Sequence, residues 1–454
     1  MPDDNYWNPA VETAAPSELR RMQGTKLRRQ LRYVLDRSPF YRRKFKDAGF
    51  DATRLRDMDD LSRAPFTFKE ELRRSQVGHP PLGGHAAVDM REVIRVHSSS
   101  GTTGRPSYVG LTRHDRDAWT EVVSRVYYCE GLRPSDVLIH GFGLGFFVGG
   151  LPLKDAIENI GATFVPIGAG SSDRLVTSIE NLGGTVLTCT PSYAQYLTEF
   201  VRDRFGMEPE HLGLRRVMLG AEPGGGIPAV RQKISDDYGA FVTEGLGNAD
   251  LIGVFAGSCD EADGMHFAAP DYMILEVIDP ITEEALEWED GVEGELVATH
   301  IDRECCPLVR FRTGDRIKVR TAACNCGRTG PRWTCVGRTD DMLILKGVNV
   351  WPSAISDVVG SLRPRTTGAV QVLLAAPGPK VDPPLALQAE YGPEATDLDA
   401  LKSELEGLLR ERLIVECDVE LLPPGTLPRF EMKAQPIRKL YEEPLLGGGS
   451  RRGR

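Results

Sequence analysis

At 454 residues the chain is long for one domain, and 41% hydrophobic with 26% charged residues is the balance of a soluble globular protein of two or three units. A net charge of −10 argues against nucleic-acid binding, because phosphate contacts need a basic footprint. No apolar run is long enough to span a bilayer, and the opening "MPDDNYWNPAVE" lacks the charged-then-apolar form of a signal peptide. The expectation is a cytoplasmic protein with neither nucleic acid nor membrane as a partner.

Residues 17–45 read as helical, with Leu27, Leu31, Val34 and Leu35 on one face and Ser38-Pro39 as the stop. A polar, helix-prone "FTFKEELRRS" follows, then a strand-like "REVIRVH" that runs into "HSSSGTTGRPSYVGLT" at 97–112. From Asp136 the pattern alternates. "DVLIHGF", "ATFVPIG", "TVLTCTP", "RRVMLGA" and "AFVTEGL" are short apolar runs ending in Gly, Pro or Thr, separated by helical segments. In "SSDRLVTSIENLGG" Ser172 is the expected cap and Gly183 the terminator. Such alternation predicts a largely parallel sheet covered by helices, with ligands beyond the carboxyl ends of the strands.

Near Tyr272 the pattern turns to antiparallel strands broken at Asp279-Pro280. Another regime begins near Asp340: a hairpin ("MLILKGVNV"), a helix, two strands and a long helix from Leu398. The expected architecture is α/β. A large N-terminal domain (1–339) has mostly parallel sheets and a small antiparallel β subdomain. A small mobile α+β domain (340–440) and a flexible tail (441–454) follow.

The stretch at 97–112 has two readings. Hydroxyls and exposed N–H groups at glycines make an anion-binding concavity, and glycine lets the backbone approach a ligand. A Ser/Gly linker has the same composition, but linkers are rarely wedged between apolar strands with "GRP" inside them. The Walker pattern is absent.

"SSSGTTGRP" resembles the Ser/Thr/Gly-rich loop of the adenylate-forming superfamily. More of that family's pattern follows in order: "GAEP" at 220–223, "RFRTGD" at 310–315, "GRTDDMLILKGVNVWP" at 337–352 and "LPRFEMKAQPIRK" at 427–439. "SPFYRRKFKDAGF" and the "GGL…IGATFVPIGAG" block are most similar to the phenylacetate–coenzyme A ligase branch.

The resemblance implies adenylation of a carboxylic acid by ATP with Mg²⁺, release of pyrophosphate, and transfer of the acyl group to a thiol or amine. Ser99, Gly101, Thr102, Thr103 and Gly104 would then steady the ATP phosphates. Ala221, Glu222, Pro223, Glu244 and Gly245 would line the adenine. Asp315 would accept from the ribose hydroxyls, with Arg338 on the ribose and phosphate side. Lys433 is the implied catalytic cation, Lys439 its fallback, and Asp340 the hinge of a domain rotation. Leu144, Phe147, Gly149 and Gly247 would form the acid pocket, which suits an aromatic acid. The family's aromatic-Gly-x-Ser/Thr-Glu stretch reads "EGLGNAD" here, so Asn248 stands where an acid helps to hold Mg²⁺, with Asp250 or Glu244 as the substitute.

Nine cysteines, an odd number, do not suggest a disulfide framework. Cys259, His266, Cys324 and Cys326 form a Cys₃His set suited to structural zinc, and some relatives carry a similar set. Buried free thiols are the alternative, with Cys305-Cys306 and Cys335 as competing ligands. Cys129, Cys189 and Cys417 look like packing residues.

Three functions are expected to compete. The first is an aryl-acid–coenzyme A ligase. The second is an adenylating enzyme whose acceptor is a carrier-protein thiol or an amine. The third is a non-catalytic nucleotide-binding regulator, motivated by Asn248. Dimers occur in the family, so a homodimer is an open expectation.

Overall fold

The computed structural model describes residues 5–55, 58–98, 107–346, 348–428 and 436–442. They divide into two compact units, the first ending at Thr339 and the second beginning at Asp340.

The first unit opens with helices α1 (Pro9–Glu12), α2 (Pro16–Arg37) and α3 (Pro39–Asp47). The single helix expected over 17–45 is thus two. Ser38 takes extended backbone torsions and its hydroxyl accepts from the Tyr41 N–H, while Pro39, having no N–H to lose, starts the second helix. Helix α4 (Lys69–Gly78) precedes a two-stranded hairpin, β1 (Arg95–Ser98) and β2 (Tyr108–Leu111). Thr112 and Asp115 form a capping box that starts α5 (Arg113–Cys129).

The alternating region gives β3 (Val137–His140), α6 (Leu151–Ile160), β4 (Thr163–Val165), α7 (Ser172–Leu182), β5 (Val186–Cys189), α8 (Pro191–Phe205), β6 (Arg216–Gly220), α9 (Pro228–Tyr238) and β7 (Phe241–Asn248). Strands β4-β3-β5-β6-β7 are mutually parallel in that order. Gly183 ends α7 in the left-handed conformation, as the sequence predicts. The N-cap, however, is Ser171. Ser172 is already helical, and its hydroxyl meets that of Tyr193 at 2.9 Å.

Successive residues of these strands enter two different cores. Leu138, Val186 and Met218 join α5 and α6, while Ile139, Leu187 and Val217 join α7, α8 and α9. Period-two side chains buried on both faces are what a parallel sheet between helix layers requires.

The antiparallel strands continue the same sheet. They are β8 (Ile252–Ser258), β9 (Met265–Phe267), β10 (Met273–Ile278), β11 (Ala285–Leu286), β12 (Glu293–His300), β13 (Phe311–Arg320) and β14 (Arg332–Arg338). Beyond β7 the order is β8-β9-β14-β13-β12-β10-β11, giving twelve strands among the described residues. The parallel and antiparallel regimes therefore meet at β7.

The second unit has a hairpin β15 (Leu343–Leu345) and β16 (Val348–Val350), α10 (Pro352–Gly360), β17 (Thr366–Leu374), β18 (Leu385–Tyr391), α11 (Leu398–Leu413), β19 (Cys417–Leu422) and β20 (Ile437–Lys439). It has its own core, from Ile355, Val359, Leu387 and Leu405 among others. No helix among the described residues is long and apolar enough to cross a membrane.

A buried charge cluster fastens the β1–β2 hairpin to the loop before β13. Asp115 accepts from the N–H groups of Thr112 (3.1 Å), Glu304 (2.8 Å) and Cys305 (2.9 Å), with Arg303 Nε 3.7 Å away. The Arg303 guanidinium donates to Gly110 O at 2.8 Å and lies over the Trp119 ring. Asp115→Ala should lose about 3–5 kcal/mol of stability, because it leaves a fully buried arginine uncompensated. Urea unfolding would read this. A loss under about 1 kcal/mol, the scale of an exposed pair, would contradict it.

Candidate active site

Strand β6 ends at Gly220, and Ala221 turns the chain with a φ of 71°. The Glu222 carboxylate accepts from the Ser192 N–H at 2.7 Å, at the start of α8. Pairing of β6 with β7 sets Leu219 opposite Glu244 and Gly220 opposite Gly245. The "GAEP" turn and the Glu244-Gly245 pair are thereby neighbours. Glu244 donates its N–H to Ser258 Oγ at 2.8 Å, and its carboxylate lies against Gly225 and Gly226. A Cβ on Gly226 would sit 2.7 Å from Oε2, so that position has no room for a side chain. Burial raises the Glu244 pKa to about 7, with Arg231 opposing. Its Oε2 has no partner among the described residues.

Asp315 and Arg338 face each other across β13 and β14, Oδ1 accepting from Nη1 at 2.7 Å. Cys335 lies on β14, three residues before Arg338. Its thiol is raised to about 12 by burial first, and then by the charges of Asp315 and Glu244. Arg338 pairs with the predicted ribose acceptor itself, so a ribose at Asp315 must displace this pair or share it.

The segment between β3 and α6 carries the predicted acid pocket. Phe146 O accepts from the Ser98 N–H at 3.0 Å, anchoring the segment to the end of β1. Phe146 and Phe147 are 50% and 37% exposed. Leu144 reaches Gly168, and a Cβ on Gly149 would sit in ordinary contact with Phe142. A Cβ on Gly253 would come 3.1 Å from Val148 O. One on Gly247 would come 1.7 Å from Gly253 O. Close approach of the β7–β8 hairpin to itself therefore accounts for glycine, and not a hydroxyl residue, at 247. His140, which the sequence reading passed over, ends β3 with its ring against Phe142 and Phe164, and burial lowers its pKa to about 4.

The two magnesium candidates are committed elsewhere. Asn248 Oδ1 accepts from the Asp250 N–H at 3.0 Å in the turn after β7. Asp250 is 5% exposed and ion-paired with Lys69 of α4. Lys69 lies far off in sequence, so nothing local could have signalled the pair.

Ser99, Gly101, Thr102, Thr103, Gly104 and Lys433 lie outside the described residues. Asp340 begins the second unit, and Lys439, on β20, pairs with Glu442 at 3.1 Å.

Cys259, His266, Cys324 and Cys326 converge, with all four ligand atoms within 4.8 Å of one another. The Cys259 and Cys324 sulfurs are 3.6 Å apart, and His266 Nε2 is 3.3 Å from Cys326 Sγ. Tetrahedral zinc–thiolate bonds would set sulfurs about 3.8 Å apart, so the donor set fits such an ion. A hydrogen bond from Cys259, and then one from His266, lower the Cys326 thiol, favouring the thiolate that a metal needs. Tyr6 Oη steadies the loop by donating to Cys326 O at 2.8 Å. Cys305, Cys306 and Cys335 are not part of this group.

Residues 347–439 match the family model described as the AMP-binding enzyme C-terminal domain. The phenylacetate-coenzyme A ligase of Thermus thermophilus is 38% identical over 94% of this chain and 97% of its own. The enzyme of the same name from Pseudomonas putida is 33% identical over 93% and 94%. This chain belongs to the phenylacetate–coenzyme A ligase family. Within it the chain is an enzyme of the adenylate-forming ligase type, which leaves the regulator reading without support. The fold agrees. A crystal structure of 2-hydroxyisobutyryl-CoA ligase in its postadenylation state, in complex with R3-HIB-AMP, superposes with a TM-score of 0.89. It shares 29% identity and covers 96% of this chain and 93% of that one.

Glu244 gives a signature in pH. Its folded pKa of about 7 exceeds the ordinary 4.5, so between these values the unfolded chain binds fewer protons and stability falls as pH rises. Above about 7 this contribution is flat. Urea midpoints for Glu244→Gln should therefore gain on wild type between pH 5 and pH 8. An unchanged difference across that range would contradict the assignment.

Proposed function

We propose that the protein activates an aromatic carboxylic acid with ATP and passes the acyl group to coenzyme A. The observation that carries this reading is that β6–β7 pairing sets the 221–223 turn beside Glu244-Gly245, with the Asp315–Arg338 pair on the same sheet. In the first step a carboxylate oxygen attacks the α-phosphorus and pyrophosphate leaves. Ser99, Gly101, Thr102, Thr103 and Gly104 would hold the departing phosphates without a bulky side chain across the path. Asp315 would take the ribose hydroxyls, and Lys433 would neutralise charge gathering between the carboxylate and the α-phosphate. Mg²⁺ would enter with ATP. Since Asn248 is engaged in the turn and Asp250 with Lys69, Glu244, whose Oε2 has no partner among the described residues, would be the remaining side chain to hold it.

An aromatic acid suits the apolar, glycine-lined 142–150 segment with its two half-exposed phenylalanines, and the family relatives are named for such an acid. Coenzyme A is favoured over a carrier protein or an amine by the same names. The regulator alternative rested on Asn248, whose side chain has a structural task in the β7–β8 turn. The Cys₃His set is assigned to structural zinc, because a closed four-donor site leaves no position for substrate.

Incubation with ATP and a panel of benzoic, phenylacetic and cinnamic acids should release pyrophosphate, and added coenzyme A should yield the thioester. Release followed by transfer to hydroxylamine but never to coenzyme A would overturn the acceptor. Lys433→Ala should lower adenylation about 100-fold or more while ATP binding is kept. Protein purified without added zinc should carry about one zinc per chain, and Cys324→Ser should lose it. Metal-free wild type that is fully folded would contradict the site.

A further inference from the structure

Cys305 and Cys306 are adjacent in sequence, 0% and 2% exposed, and absorbed by no step above. Their sulfurs are 3.6 Å apart, within hydrogen-bond reach of each other. Around them are Leu82, Ala86, Val88, Val93 and Tyr108, an apolar pocket. No histidine or carboxylate joins them in a metal-binding group among the described residues, and two thiols alone do not complete a zinc site. What remains is the chemistry of a vicinal dithiol.

The pair packs against β2 of the β1–β2 hairpin. Gly110 of β2 lies so close that a Cβ there would be 2.6 Å from Cys305 Sγ and 2.8 Å from Leu82. Gly110 also receives Arg303 on its carbonyl and pairs with Val96 of β1. The backbone of the pair is pinned from both sides. Asp115 accepts from the N–H groups of Glu304 and Cys305, and Cys305 O accepts from Ala87 at 2.8 Å. With the backbone held, any movement of the sulfurs falls on the contact with β2.

We propose that Cys305 and Cys306 are a redox site at which a small hydroperoxide forms a vicinal disulfide, and that this bond switches off adenylation by disturbing β2. In the first step the Cys306 thiolate attacks the distal peroxide oxygen. The O–O bond breaks, hydroxide (or alkoxide) leaves, and Cys306 becomes the sulfenic acid. In the second step the Cys305 sulfur attacks Cys306 Sγ, the S–O bond breaks, and water leaves with the Cys305 proton. In sum, two thiols lose two electrons and two protons, and the peroxide becomes two waters, or one water and an alcohol. The division of roles follows the surroundings. The Cys306 thiol is lowered by its hydrogen bond with Cys305, with the Arg303 guanidinium and the Gly110 backbone helping, while Cys305 is raised. Closing the bond draws sulfurs from 3.6 Å to about 2 Å, which pulls Cys305 off its seat on Gly110. The pair is buried, so a small oxidant reaches it only in transient openings that release its backbone hydrogen bonds.

The effect on adenylation rests on the function proposed above; formation of the disulfide does not, and mass alone reads it. The full chain is treated with hydrogen peroxide, digested, and assayed in parallel for retained zinc and for ATP–pyrophosphate exchange with an acid it accepts. The peptide holding residues 305 and 306 should lose about two mass units with zinc retained. Exchange should fall at least tenfold, and dithiothreitol should restore both. Cys306→Ser should keep its exchange activity under peroxide. In Cys305→Ala, dimedone should label Cys306. A peptide that stays reduced overturns the site, whatever the activity does. Inactivation of Cys306→Ser as fast as wild type, or a disulfide that leaves exchange unchanged, overturns the switch.

Discussion

Strand β7 is the constraint on which the rest of the architecture depends. It pairs in parallel with β6 on one side and antiparallel with β8 on the other. Parallel pairing demands helical crossovers and so puts layers of helix on both faces; antiparallel pairing permits the tight β7–β8 turn. Where one regime becomes the other, the end of the strand stands beside the "GAEP" turn. The 221–223 turn and Glu244-Gly245 are placed by that junction, while Asp315 and Arg338 come from β13 and β14 further along the same sheet. The glycines at 245 and 247 belong to the same logic. The hairpin closes so tightly that no side chain fits at 247.

Much of this was legible in the sequence, for identifiable reasons. Short apolar runs ending in glycine gave the parallel strands, because strands buried on both faces cannot alternate with polar residues. The Cys₃His convergence could be proposed because thiols and imidazole in loops have few other uses, although Cys259 and Cys324 are 65 positions apart. Other features were not local properties. That the antiparallel strands extend the parallel sheet depends on β9 pairing with β14, a contact between Met265–Phe267 and Arg332–Arg338 that no periodicity reveals. The Lys69–Asp250 pair and the Asp115–Arg303 cluster likewise need the folded chain to bring their partners together. The helix break at Ser38 was legible in its proline, and Ser38-Pro39 is where the structure ends one helix and starts the next.

The departures from the family pattern take on physical meaning once placed. Asn248 builds a turn with Asp250; Gly247 yields space to Gly253; Glu244 fills a wall beside Gly225 and Gly226 with a carboxyl near its neutral point at physiological pH. Together they describe a nucleotide crevice with the family's topology and its own electrostatics. The Cys305-Cys306 pair is a further individual feature, lodged where the loop before β13 meets β2.

The central claim is that this crevice holds an acyl-adenylate. The most direct measurement is a crystal structure with an aryl-acyl sulfamoyladenosine, a stable mimic of that intermediate. The account predicts the base between residues 221–223 and Glu244-Gly245, the ribose hydroxyls on Asp315 with the Arg338 pair opened or shared, and the acyl group over Leu144, Phe147 and Gly149. A mimic that fails to bind, or one found elsewhere with the Asp315–Arg338 pair intact, would contradict it.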